Sequence, residues 1–165
     1  YPAFVPLTHP LASVRGSYNA IYIKGNGIDD AMFYGRGAGS LPTGSSVVSD
    51  IMEVAKNVAF ESTGCFKPFY FDQKNIYSPG KIQSSYYMRL AVDNKTGVLA
   101  KIATKLAEQK ISVLSIVQRN KDPETAVLAI VTSKCPHSYI LNLIDSFNSL
   151  RSVKEVSSVI RIMEA

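Results

Sequence analysis

Two short runs and one isolated amide hold the residue types in this 165-residue chain whose spacing could do chemistry. The first run is Phe33 to Asp50, where Gly35, Gly37 and Gly39 alternate with Arg36 and Ala38 ahead of Ser40-Leu41-Pro42-Thr43. Alternate glycines strip side chains from one face of the backbone, so a planar ring or a phosphate can lie against the main chain. Val47, Val48, Ile51, Met52, Ala55, Val58 and Ala59 then recur at helical spacing, predicting a helix from about Thr43 to Phe60. Its free amides and positive dipole end would point at whatever the glycines expose, a place for an anionic or electron-rich ligand. The spacing is G-x-G-x-G and not the G-x-G-x-x-G of a dinucleotide fingerprint, so a tight strand-to-helix connection is the alternative.

The second run is Asp93-Asn94-Lys95-Thr96-Gly97-Val98-Leu99, and the isolated amide is Gln118, which closes the otherwise apolar stretch from Ile111. Amides near Gly97, Val98 and Leu99 could take an anionic group, with Asp93 and Gln118 as polar partners for the rest of a small ligand. The plainer alternative is a strand-to-helix junction with Thr96 as N-cap and Gly97 relieving strain. His9 and His137 have no acidic or cysteine partner at ligand spacing, which argues against a metal site and makes both surface or turn residues. Cys65 and Cys135 are far apart without C-x-x-C spacing, so reduced structural thiols and a cytoplasmic location are expected.

Those runs need elements to carry them. Pro2, Pro6, Pro10 and Gly16 rule out a continuous helix over residues 1 to 17. Tyr18 to Lys24 and Ala31 to Tyr34 read as a hairpin around Gly25 to Asp30. One hairpin and one helix cannot cover each other's apolar surface, so residues 1 to 60 are expected to need another surface or to pack imperfectly. Glu61 to Ile82 has neither period. Its aromatics Phe66, Phe69, Tyr70, Phe71 and Tyr77 suggest an ordered linker lying on something.

From Ser84 the patterning sharpens. Tyr86, Met88, Leu90 and Val92 alternate with Tyr87, Arg89, Ala91 and Asp93 as in a half-buried strand. Val98, Leu99, Ile102, Ala103, Leu106 and Ala107 line one helical face. Ile111 to Gln118 and Thr125 to Thr132 form a hairpin, a helix begins near Pro136, and Val156, Ser158, Ile160 and Ile162 alternate in a last strand. The order βαββαβ predicts an α+β, ferredoxin-like sheet with both helices on one face.

His9-Pro10-Leu11-Ala12, Gly16 to Ile21 and the whole glycine run together resemble the C-terminal part of the catalytic region of homoserine dehydrogenases. Asp93 to Leu99 resembles the D-x-x-G-V-L signature of ACT domains, small amino-acid-binding regulatory modules, and Ile111 to Gln118 resembles their second strand in that enzyme family. The resemblance implies residues 1–60 as the end of a catalytic region, 61–83 as linker and 84–165 as an ACT domain. It implies a hairpin-plus-helix remnant whose Gly37, Ala38 and Gly39 contact the nicotinamide end of NAD or NADP. It also implies an effector, threonine, at Asp93, Gly97, Val98, Leu99 and Gln118, and a homo-oligomer, most simply a dimer. The family's dinucleotide-binding half and its catalytic acid and lysine are not among these residues. A start without Met, in Tyr-Pro-Ala-Phe, therefore reads as the interior of a longer enzyme, with this piece alone inactive. A stand-alone amino-acid-binding or oligomerisation module remains the alternative. No stretch approaches the ~18 apolar residues of a membrane span. The net charge of +5 comes from dispersed Lys and Arg without a basic cluster, which argues against nucleic acid as a partner.

Overall fold

The computed structural model describes residues 1–62 and 76–163, arranged in two compact units: Tyr1–Pro6 with Ile76–Ala165, and Leu7–Asn75. Most of the predicted linker, with Phe66, Phe69, Tyr70, Phe71 and Cys65, lies outside the described residues.

The Leu7–Asn75 unit begins with a 3-10 turn at Pro10–Ser13, which His9 caps by accepting the Leu11 amide on Nδ1 at 3.1 Å. Strands β2 (Tyr18–Gly25) and β3 (Asp29–Arg36) pair antiparallel in the order expected, Tyr18 opposite Arg36 and Gly25 opposite Asp29. Helix α1 (Ser40–Ala59) starts three residues earlier than the periodicity suggests, because Gly39 serves as N-cap and places Pro42 in the first turn. None of its residues is buried. Ile51, Val58 and Phe60 are 62%, 74% and 80% exposed, and Ile21 and Phe33 on the hairpin about as much. A two-stranded ribbon and one helix bury too little apolar surface to make a core, which is what the pattern of this segment implies.

The other unit has the core. Strands β4 (Gln83–Asp93), β5 (Val113–Asn120), β6 (Thr125–Thr132) and β8 (Val153–Ile162) form a sheet in the order β8-β4-β6-β5, and α2 (Val98–Glu108) and α3 (His137–Asn148) supply its apolar cover. This is the predicted βαββαβ topology. Two short strands are additions: β7 (Cys135–Pro136) beside the start of β4, and β1 (Ala3–Phe4), parallel to β8 with Ala3 opposite Arg161. The first residues thus add to the sheet, and the Met163 amide also donates to Phe4 O at 2.9 Å.

Tyr86, Met88, Leu90 and Val92 of β4 meet Ile102 and Leu106 of α2 and Ile140, Leu143 and Phe147 of α3, all 2% exposed or less. Full burial of each such side chain contributes roughly 1.5–3 kcal/mol. Two expectations change here. Leu99, Ala103 and Ala107 face solvent, because α2 covers one sheet and needs only the narrower stripe Val98, Ile102, Leu106. In β8 the pairing slips by one residue at Lys154 and again at Ser157, so Val153, Val156 and Val159 pack on the core while Ile160 and Ile162 pair with Tyr87 and Ser85 on the opposite face.

Candidate functional site

The second chemical run lies where β4 leads into α2. Gly97 adopts φ +86°, a left-handed conformation that costs a residue with a Cβ about 1–2 kcal/mol. Gly97 itself is the N-cap and no side chain caps the helix, so Thr96 does not have the capping role the sequence allowed it. The Val98 amide turns back to Lys95 O at 3.3 Å and the Lys101 amide takes Gly97 O at 3.2 Å. The amides of Gly97, Leu99 and Ala100 are left as unfilled donors of the first turn. Gln118 reaches the same place from β5, because the β5–β6 register sets it opposite Leu128 on the helix side of the sheet. All five predicted effector residues, Asp93, Gly97, Val98, Leu99 and Gln118, line one cleft of about 360 Å³ floored by Val92 and Leu128.

Asp93 is more committed than the sequence suggested. Its oxygens lie 3.9 Å from Lys95 Nζ and 3.8 Å from Lys154 Nζ, and Lys154 also donates to Thr125 Oγ1 at 2.8 Å. The Asn94 amide donates to Glu124 O at 2.9 Å, tying the cleft to the β5–β6 turn. Lys154 escaped sequence reasoning because it is distant in the chain. The only local signal was a charge interrupting the alternation of the last strand.

The glycine run is arranged differently. Gly37 shares a shallow hollow of about 260 Å³ with Gly35, Asn19 and Phe33, while Ala38 and Gly39 lie outside it. A Cβ at Gly37 would run into the Asn19 carboxamide, and Gly39 has φ +127° with Pro42 Cδ 3.2 Å from where a Cβ would sit. Gly39 therefore requires glycine for its backbone, at Gly37 an added Cβ would force the Asn19 side chain aside, and a Cβ at Gly35 meets nothing within 4 Å. Beside the hollow, the Tyr18 and Tyr34 rings stack at 4.8 Å with the Arg36 guanidinium over Tyr18 at 4.9 Å. A dinucleotide needs several hundred Å³ of enclosed space, so these residues fit only one end of it.

His137 is more than a surface residue. Its Nδ1 is 3.0 Å from Tyr86 Oη, its ring packs 5.3 Å from Tyr1, and burial followed by the nearby Arg161 charge lowers its pKa from the ordinary 6.5. Cys135 is buried, and burial raises its thiol pKa. Among the described residues there is no group of three or more His, Cys, Asp or Glu able to hold a metal, and no helix long and apolar enough to cross a membrane.

The topology and cleft define an α+β protein with a ferredoxin-like unit bearing a small polar cleft at its first strand-to-helix junction. Residues 1–52 match the family model for homoserine dehydrogenase. The chain is 36% identical to the homoserine dehydrogenase of Bacillus subtilis and 35% identical to that of Mycobacterium tuberculosis, in each case over 98% of this chain and 38% of the relative. The crystal structure of a homoserine dehydrogenase from Thiobacillus denitrificans superposes with a TM-score of 0.77 at 27% identity, over 98% of this chain and 38% of that one. The chain corresponds, over nearly its whole length, to a C-terminal portion of the homoserine dehydrogenases, and spans a little over a third of the length of these relatives.

Proposed function

We propose that this chain serves as the C-terminal portion of an NAD(P)-dependent homoserine dehydrogenase, an oxidoreductase interconverting homoserine and aspartate-4-semialdehyde. In this reading residues 1–60 complete the catalytic region, 61–83 link, and 84–165 form an ACT domain that senses an amino acid. The observation that carries the regulatory half is the convergence of Asp93, Gly97, Val98, Leu99 and Gln118 on one cleft. Its size suits a small amino acid, and it offers unfilled amides for a carboxylate beside a carboxamide for a hydroxyl. Threonine has both groups. Its ammonium would reach Asp93 by displacing Lys95, whose side chain is 77% exposed, while Lys154 stays anchored on Thr125.

The cofactor, when bound, supplies hydride transfer. Gly35, where a Cβ would meet nothing within 4 Å, would give its nicotinamide end a bare backbone to lie against, with Gly37 and the Asn19 carboxamide beside it. The catalytic acid and lysine would belong to the rest of the enzyme, so this chain alone should be inactive. The unpaired edge of β5, with Val113, Val117 and the bulged Leu114 at 36%, 48% and 68% exposure, would pair with a second copy to give a dimer. Linkage then makes control by threonine a difference in its affinity for two subunit arrangements. Calorimetry of the chain with threonine, serine, methionine and lysine tests the reading. Threonine should bind, and Gln118→Ala should weaken threonine far more than an analogue lacking the hydroxyl. No binding of any of the four at millimolar concentration would leave only an oligomerisation module.

A further inference from the structure

We propose that the open face of the C-terminal sheet, opposite the helices and the amino-acid cleft, binds a nucleoside di- or triphosphate. A second hollow, about 530 Å³, lies there. Arg89 on β4 pairs with Ala129, and Arg119 on β5 pairs with Val127, so the two arginines flank the small residues of β6. With one strand between them and a two-residue offset along it, their backbones stand roughly 12 Å apart, and Lys121 closes the end near the β5–β6 turn. None of the three cations has an ion-pair partner among the described residues.

Glu155, placed on this face by the register, is engaged by the Ser157 hydroxyl at 3.0 Å, and Asp93, at the end of β4 where the cleft begins, does not line the hollow and is held by two lysines. Three uncompensated cations around an apolar floor are the complement of a ligand with several negative charges and a flat body. Guanidinium groups bind phosphate oxygens through paired, charge-assisted hydrogen bonds. The base would lie over Val127 and Ala129 towards the Tyr87 ring, which Phe4 steadies edge-on at 5.5 Å. The volume lies within the range of small-ligand sites, which run from about 300 to 1,000 Å³.

ATP and inorganic pyrophosphate are the probes, titrated calorimetrically into the 165-residue chain. ATP should bind, more tightly than pyrophosphate, and weaken steeply as salt rises to about 0.3 M. Arg89→Ala and Arg119→Ala should each cost at least about tenfold in affinity, with unchanged melting temperatures because both side chains are exposed. Saturating threonine should leave ATP affinity unaltered, which separates this face from the amino-acid cleft. Absence of heat at millimolar ATP, or equal affinity in both variants, overturns the proposal. So does loss of self-association in the arginine variants without change in ATP binding, because the face would then be a contact between copies.

Discussion

Replacing Gly97 by alanine separates the backbone from the ligand at the cleft. The φ of +86° is the whole structural obstacle, since a Cβ built there meets no atom within 4 Å. The cost should therefore be the left-handed penalty alone, about 1–2 kcal/mol. For a unit of this size a loss of 1 kcal/mol lowers Tm by roughly 4–8 °C, so Gly97→Ala should melt about 5–15 °C lower. Gly97→Asn should recover part of that loss, because asparagine tolerates the left-handed region better. Threonine binding should respond differently: any side chain at Gly97 projects beside the first-turn amides, so alanine and asparagine should both weaken it by at least about tenfold, some 1.4 kcal/mol. Thermal melts with and without threonine, together with calorimetry, read both quantities. Equal Tm for the alanine and asparagine variants would refute the backbone argument, and unchanged threonine affinity in both would refute the placement of the ligand.

Gly37→Ala should destabilise the hairpin through the Asn19 carboxamide, and Asn19→Ala should relieve most of that loss in a double-mutant cycle; additive melting shifts would contradict it. Cys135, buried with its pKa raised, should resist a thiol reagent in native protein and react after denaturation. Stability should fall with pH on the acid side of His137. Its folded pKa lies below the unfolded 6.5, so its contribution is complete above that value and is lost as pH falls towards the folded one. Melting curves from pH 7.5 down to 5 should show this slope reduced in His137→Gln. The purified chain should give no homoserine-dependent reduction of NAD or NADP; a measurable rate would place catalytic groups within it.

The C-terminal unit was readable because its strands and helices each bury one face against a single core, so period and burial coincide from Tyr86 to Val92 and along Val98, Ile102 and Leu106. The reading failed where pairing broke that coincidence. The bulges at Lys154 and Ser157 put Val159 rather than Ile160 on the core, and a strict alternation carries no sign of an inserted residue. The cleft residues were legible by type, yet the hold of Lys95 and Lys154 on Asp93 arises only when β8 comes beside β4. In the Leu7–Asn75 unit the hairpin was legible from its turn, and the start of α1 was set three residues late because Pro42-Thr43 was read as the opening of the helix, whereas Gly39 is its N-cap and Pro42 sits inside the first turn.

The two borders of the C-terminal sheet are unequal in what they allow to grow. Along β8, two bulges, the charged Lys154 and Glu155, and the β1 strap over Arg161 and Ile162 make an irregular rim on which a further strand finds no continuous ladder. At the other border, β5 from Ser115 to Asn120 runs without interruption. A sheet with one receptive side and one closed side can add a single like partner and then stop. Pairing of β5 with its own copy uses up both receptive sides at once, leaving the closed rims facing outward. In the proposed dimer, polymerisation would stop at two chains through the shape of the edges rather than through any scarcity of apolar surface.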